Sequence, residues 1–510
     1  MPSRPASVRS SASDPVTGAR DPRLRKANAA PVRPQGDYVL YWMTAFRRLS
    51  WNFALDHAAA RARELGKPLV VFEPLRAAYP WASDRLHSFV LDGMAEHAKR
   101  LARTEALYYP YVEPDPGAGS GLLETLALGA CLVVADDSPA FFYPHMLASA
   151  AAGSPVAVEA VDGNGLLPLA ATPDVYPTAY AFRRVLQRLL PEHLGRLPSA
   201  RPLAALPPGL AELPEAILRR WPPAGREVLA GEPEALAALP IDHSVPAVAA
   251  TPGGEAAAGR ALARFLAERL PRYGEGRGDA ADDVTSGLSP YLHFGHVSPH
   301  QVFAALADAE GWMPERLGGE RRGAKAGFWG MSAAAESFLD ELVTWRELGF
   351  HTAAKLPGYD RYESLPEWAR KTLDKHRRDP RPEVYTAAQF EAAETQDELW
   401  NAAQRQLVVE GRIHNYLRML WGKKVLHWSR SPEEALATLV ELNNRYALDG
   451  RDPNSYSGIF WCFGRYDHPW APERPIFGSV RYMSSESARR KMDVEPYIAR
   501  YGPGGQLRLL

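Results

Sequence analysis

Tyr38-Val-Leu-Tyr-Trp42 and Pro68-Leu-Val-Val-Phe72 are short apolar runs separated by a helical pattern from Trp51 to Leu65. This stretch sets the fold class. Uninterrupted apolar strands that alternate with helices read as parallel strands covered on both faces, because each connection has to cross back over the sheet. The alternation continues. Helical periodicity covers Asp84 to Ala102, strand character returns at Leu107 to Val112, and Leu122 to Leu128 is helical. Then come Cys131-Leu-Val-Val-Ala135, a helix from His145 to Ala152, and a strand from Val156 to Val161. The pattern predicts a Rossmann-like α/β domain with a parallel sheet over residues 36–175. No Gly-x-Gly-x-x-Gly opens its first helix and no Walker loop occurs, so nothing local makes it a dinucleotide site. Gly274-Glu-Gly-Arg-Gly278, further on, reads as a turn.

Upstream, residues 1–35 are rich in Ser, Arg, Pro and Ala without an apolar core, and are expected to form a flexible tail. Downstream, residues 176–254 read as an interdomain connector, densest in Pro, Ala and Leu from Pro191 onward. Beyond it the spacing is almost wholly helical. Segments near 256–270, 299–309, 332–349, 365–377, 397–409, 412–428 and 432–446 repeat apolar residues every three or four positions. Residues 255–510 are therefore expected to be an all-α domain.

The 510-residue chain is 46% hydrophobic and 23% charged, with a formal net charge of -1. Its length predicts two or three domains, and no apolar run is long enough to span a membrane. Two cysteines, Cys131 and Cys462, exclude a disulfide framework and any all-cysteine metal or iron–sulfur site. No metal is expected. A reducing compartment follows, so a cytoplasmic location is expected, nucleoid-associated in a prokaryote, with the chain a monomer. Residues 401–510 hold sixteen Lys/Arg against eleven Asp/Glu. That surplus suits a polyanion partner or a solvated basic face.

Chemistry concentrates in four places. Asn443-Asn-Arg-Tyr-Ala-Leu-Asp449-Gly-Arg-Asp452-Pro-Asn-Ser-Tyr-Ser-Gly-Ile-Phe-Trp461 joins amides, carboxylates and turn residues, and reads either as a ligand loop or as an ordinary capped turn. Thr285-Ser286-Gly287-Leu288-Ser289 supplies hydroxyls that suit phosphate oxygens or a plain helix cap. Glu341 and Trp345 share a helix face, as a base-binding pair or as a surface Glu beside a core Trp. Asn415 and Arg418 face one way from a buried helix, and a buried guanidinium requires a carboxylate such as Asp449. Trp421 and Trp428 lie about 10 Å apart along one helix, and with Trp400 read most simply as core packing.

Together these motifs resemble the photolyase/cryptochrome family, most closely the class II cyclobutane pyrimidine dimer photolyases. The resemblance runs from Tyr38 to the C-terminal region. It is carried by the Thr285–Pro299 segment, by Leu399-Trp-Asn-Ala-Ala-Gln-Arg-Gln-Leu407, by Gly411-Arg-Ile-His-Asn-Tyr-Leu-Arg-Met-Leu-Trp421-Gly-Lys-Lys424, by the Asn443–Trp461 stretch, and by Pro472-Glu-Arg-Pro-Ile-Phe-Gly-Ser-Val-Arg-Tyr-Met483 with Arg489–Ile498.

The resemblance implies an antenna-type α/β domain and a helical domain around FAD, reduced and anionic in the active state. It implies UV-damaged DNA as partner, with light-driven electron transfer to the dimer. Tyr273 and Thr285 to Ser289 would meet the FAD phosphates. Asn415, Arg418, Asp449 and Asp452 would line flavin and adenine, and Asn443 would face the flavin ring. Glu341, Trp345, Met419 and Trp461 would line the dimer pocket, and Trp421, Trp400 and Trp428, in that order outward, would carry electrons. A second antenna chromophore, a deazaflavin or a folate, is compatible with the resemblance. The alternative is a cryptochrome-like photoreceptor that binds FAD without repair; a (6-4) photolyase ranks third because its paired catalytic histidines are not identifiable. Three places depart from the class pattern: Cys462 to Trp470, Gly349 to Lys355, and Ser455 where glycine is common.

Overall fold

The computed structural model describes residues 21–503 apart from 277, 279, 281–283, 320 and 321. The first twenty residues of the expected tail, and Arg277 of the glycine-rich run, lie outside the described residues. Strands β1 (Leu24–Lys26), β2 (Tyr38–Trp42), β3 (Leu69–Leu75), β4 (Ala106–Val112), β5 (Ala130–Asp136) and β6 (Val158–Val161) form one sheet in the order β1-β6-β5-β2-β3-β4. Every residue of β2 is 5% exposed or less, as a central strand covered on both faces must be. The chain leaves β2 toward β3 and β4 on one side and returns to β5 and β6 on the other. The carboxyl ends of β2 and β5 therefore form a topological switch point.

The sheet is not purely parallel. The β1 strand runs antiparallel to β6, pairing Leu24 with Val161. Residues 21–35, expected as tail, are ordered against the sheet: Ala27 N donates to Val158 O at 2.8 Å and Arg33 N to Cys131 O at 2.8 Å. The Arg23 guanidinium donates to Leu166 O at 2.8 Å. Backbone bonding and one buried arginine hold this segment, and composition registers neither.

Helices Phe53–Leu65, Asp84–Leu101, Leu122–Gly129 and Tyr143–Gly153 cover the sheet. Asn52 starts the first by accepting from Ala54 N, and Gly66, in a left-handed conformation at φ 61, ends it. Within the expected connector, Ala179–Leu189 is a full helix whose Phe182 and Leu186 belong to the helical domain's core. The remainder holds only short helices and runs back along the sheet, where the Trp221 indole donates to Ala118 O at 2.9 Å.

The helical half begins at Glu255–Arg264 and includes Pro299–Ala309, Ala333–Leu339, Arg346–Lys355, Glu367–Lys375, Glu398–Glu410, Asn415–Trp428, Pro432–Tyr446 and Pro453–Trp461. Two π-helical turns, Phe265–Arg269 and Asp340–Trp345, interrupt the regular pattern. Polar groups join the halves. Arg85, from the sheet side, donates to Tyr446 O at 2.7 Å and Val408 O at 2.6 Å, at the C-terminal ends of two helices. The Glu347 carboxylate accepts from Leu166 N and Leu167 N at 2.7 and 3.0 Å. His97, fully buried, pairs with Glu73 at 2.8 Å and reaches toward Glu255 at 3.6 Å.

Candidate functional site

The turn after Pro432–Tyr446 is built by backbone crowding. A Cβ on Gly450 would lie 2.9 Å from Asn443 O and 3.0 Å from Ala447 O, so only glycine fits. Arg451 follows at φ 67, a strained left-handed conformation for a side chain of that size. Asp452 then caps the next helix by accepting from Asn454 N at 2.8 Å, and its other oxygen meets His293 Nδ1 at 3.3 Å. This geometry turns Asp449 toward Arg418, with Nη2 to Oδ1 at 3.0 Å and Nη1 to Oδ2 at 3.4 Å. Burial opposes ionisation of Asp449. The Arg418 guanidinium, aided by Ser289 and His293, nevertheless holds the carboxyl below its ordinary range.

The Asn443 amide has a fixed orientation. Arg451 N donates to Asn444 Oδ1 at 2.8 Å, which identifies that atom as the carbonyl oxygen. Asn443 must then turn its NH2 toward it, at 3.2 Å, and also donates to Ser455 Oγ at 2.7 Å. Among the described residues the Asn443 Oδ1 accepts no hydrogen bond, so it is the atom left for a ligand. Ser455, one of the departures from the class pattern, is thus what anchors the amide.

The hydroxyl segment lies against this turn. Gly287 adopts φ 67, and a Cβ there would meet nothing nearer than Arg269 Nη1 at 4.0 Å. Ser286 Oγ accepts from Leu288 N at 3.3 Å, while the Ser289 side chain helps to favour the ionised form of the Asp449 carboxyl. Thr285 leaves its carbonyl to Arg269 at 3.0 Å. Asn415 is exposed at the start of its helix, and Tyr273 stands edge-on to Phe265 and Phe338 at 5.8 and 5.6 Å. An arginine neutralised by aspartate, an oriented amide oxygen and an open left-handed turn beside hydroxyls are donor and acceptor types that fit a flavin dinucleotide.

All three candidate relay tryptophans are 2% exposed or less. Trp421 and Trp428, a full heptad apart, are bridged by Trp400 from the neighbouring helix. Trp400 stacks on Trp421 at 6.4 Å with planes 8° apart, and meets Trp428 edge-on at 6.0 Å. The Trp421 indole donates to Gln404 Oε1 at 2.9 Å and that of Trp400 to Trp421 O at 3.0 Å. Trp428, expected outermost, is still buried, with Tyr385 at 5.5 Å and Lys424 Nζ at 4.9 Å against its ring.

Glu341 and Trp345 sit on the π-helical turn Asp340–Trp345, both partly exposed. Such widened turns recur at functional sites, and no spacing rule in the sequence reveals one. Met419 lies beside Gly458, whose Cβ would be 3.5 Å from its Cε, and Trp461 packs against the cores on both sides. Gly349, in the second departing segment, lets the helix after Trp345 approach Pro453–Trp461. A Cβ there would meet Ser457 Oγ at 2.7 Å and Pro453 O at 3.1 Å.

The departing segment from Cys462 to Trp470 divides in two. Cys462 and Phe463 are core residues, and Arg465 is pinned over the Phe460 ring at 3.9 Å with a bond to Tyr359 O at 2.8 Å. Beyond them a surface ladder forms: His468 stacks on Trp470 at 4.9 Å, and Arg481 spans from Trp470 at 4.9 Å to Trp461 at 5.7 Å. Trp470 is 39% exposed.

A separate cavity of about 630 Å³ opens at the sheet's switch point, lined among others by Phe46, Tyr111, Phe141, Met146, Arg346 and Arg451. The Arg451 guanidinium lies 5.9, 5.8 and 5.6 Å from the Tyr79, Phe141 and Phe294 rings. The cavity wall and the Asp449–Asp452 turn therefore share two residues, Arg451 and Asp452. Neither the cavity nor this link is legible in the sequence, because the lining residues are scattered from Trp42 to Pro453.

A helical domain seated on an α/β sheet domain in this manner is also the architecture of a class III photolyase from Agrobacterium tumefaciens, with a TM-score of 0.66 and 18% identity over 92% of this chain and 86% of that one. A cryptochrome from Synechocystis shares it, with a TM-score of 0.62 and 15% identity over 91% and 88%. No family model matches the chain. A deoxyribodipyrimidine photo-lyase from Methanothermobacter thermautotrophicus is 33% identical over 94% of this chain and 97% of its own length, and one from Oryza sativa is 34% identical over 94% and 90%. The chain belongs to the photolyase/cryptochrome family, where it stands with the enzymes named deoxyribodipyrimidine photo-lyase. Among the described residues no helix is long and apolar enough to cross a membrane.

Proposed function

We propose that this protein is a class II photolyase that uses light to split cyclobutane pyrimidine dimers in DNA, with FAD held between the Asn415–Trp428 helix and the Asp449–Asp452 turn. The observation that carries the proposal is that this one helix bears Arg418, paired to Asp449 at 3.0 Å, and also Trp421, the inner member of a buried ring-to-ring chain. Bound and reduced, FAD would supply a photoexcited electron to the dimer and recover it after ring opening, with no net redox change. The protein's part is placement. Arg418 would favour negative charge on the ring, tempered by Asp449, and Asn443 would present only its Oδ1 acceptor. Glu341 would hydrogen-bond the dimer between the Trp345 and Trp461 rings, and the hydroxyls from Thr285 to Ser289 would meet phosphate oxygens.

The His468–Trp470–Arg481 ladder gives the departing segment a role in DNA contact, since exposed aromatics interleaved with cations stack on bases and meet phosphates. The switch-point cavity falls within the usual size range of ligand sites, and we assign it to an antenna chromophore that is planar and acidic, to suit its aromatic and arginine lining. Illumination of the reduced protein with dimer-containing DNA should restore thymine absorbance. Failure to do so, with FAD bound and reduced, would establish the photoreceptor reading instead.

A further inference from the structure

Lys423 is 0% exposed, yet among the described residues no carboxylate lies within ion-pair distance of its ammonium. Nζ donates to Cys462 O at 2.7 Å and sits 5.0 Å from the centre of the Trp461 ring. A buried ammonium that lacks an anionic partner is costly, and a leucine or methionine would fill the same space more stably. The charge therefore calls for a use. Its surroundings narrow the choice. Met419, one turn earlier on the same helix face, lies beside Gly458, so this face is turned to the helix that ends in Trp461. Arg481 also approaches the Trp461 ring, but it is partly exposed and free to move aside for a base. Lys423 has no such exit.

We propose that Lys423 is a positioning residue of the dimer pocket, its ammonium gripping the Trp461 indole so that the ring is held as a fixed stacking platform for the flipped dimer. This rests on the photolyase reading above. A desolvated cation over an indole is worth enough to change dimer affinity about tenfold. Desolvation also lowers the Lys423 pKa, to about 8, with Cys462 and Asp467 opposing the shift and Arg481 reinforcing it. The grip should consequently weaken over the alkaline range.

The test is dark binding by the FAD-loaded protein of an oligonucleotide carrying one thymine dimer, expressed as a ratio to binding of the undamaged oligonucleotide so that general phosphate attraction cancels. The ratio should fall severalfold between pH 6.5 and 9 in the unaltered protein. Lys423→Met should show the low ratio throughout, with a flat profile and unchanged FAD content. Lys423→Arg, which keeps its charge, should retain the preference at pH 9. A Lys423→Met protein that keeps the full ratio, or keeps the pH dependence, overturns the inference while leaving the photolyase reading intact. A flat profile in the unaltered protein does the same without any variant. Loss of dimer preference at every pH in the unaltered protein overturns both.

Discussion

The Asn415–Trp428 helix separates two groups of tryptophans that share a residue type and little else. On one side Trp421, Trp400 and Trp428 are sealed from water and touch ring to ring, and the first two give their indole N–H groups to neutral oxygens. On the other, Trp345 and Trp461 are partly exposed, and the Trp461 faces are approached by Lys423 and Arg481. Met419 and Lys423 lie about 200° around the helix from Trp421, as two-residue offsets must. One face is insulated and continuous, as electron passage requires. The other is open and held by cations, as stacking of a flipped base requires.

Substitutions that affect only one face provide the means to break this division. Trp421→Phe should abolish photoreduction of oxidised FAD, followed by absorbance under blue light, while protein reduced beforehand still repairs DNA; normal photoreduction would dissolve the relay side. Glu341→Ala should lower the repair quantum yield roughly tenfold, the worth of a hydrogen bond to a charged group, with FAD content and photoreduction unchanged. Equal loss of both functions would mean that the faces are not independent. Trp470→Ala should weaken binding to dimer-containing DNA by about 1–3 kcal/mol, the range for loss of one stacked base, and leave photoreduction untouched.

The smallest effect concerns stability. Burial alone would lower the His97 pKa, yet Glu73 and Glu255 raise it to about 9. With its folded pKa above the ordinary 6.5, His97 contributes stability that is complete below pH 6.5 and lost as pH rises through about 9. Melting temperature should therefore decline between pH 7 and 9.5, and His97→Gln should flatten that decline without altering either tryptophan face.

Much of this organisation is legible in the sequence because it is local. The strands announce themselves as buried apolar runs, the helices as three- and four-residue periodicity, and the turn at Asp449 to Asp452 as Asp-Gly-Arg-Asp-Pro. Non-local features stay hidden. Spacing shows Trp421 and Trp428 a heptad apart but cannot show that Trp400, from another helix, closes the gap. The β1 strand, Leu-Arg-Lys, lacks any apolar pattern because backbone pairing holds it. Lys423 reads as a solvent position, since charge ordinarily lies outside; the sole hint is that Leu417, Leu420, Trp421, Val425 and Leu426 surround that helix with apolar residues on nearly every side. Ser455 reads as a mild exchange for glycine until the Asn443 amide is seen to depend on its hydroxyl.

Arg85 has a consequence for the history of such a chain. Its guanidinium, rooted in the sheet domain, satisfies the terminal carbonyls of the two helices that carry Trp400 and lead into the Asp449–Asp452 turn. Deleting the sheet domain would strip those helix ends of their donor, so the two halves should melt as one cooperative unit and resist independent inheritance. A lineage that made no use of the switch-point cavity would still be obliged to keep the domain that lines it.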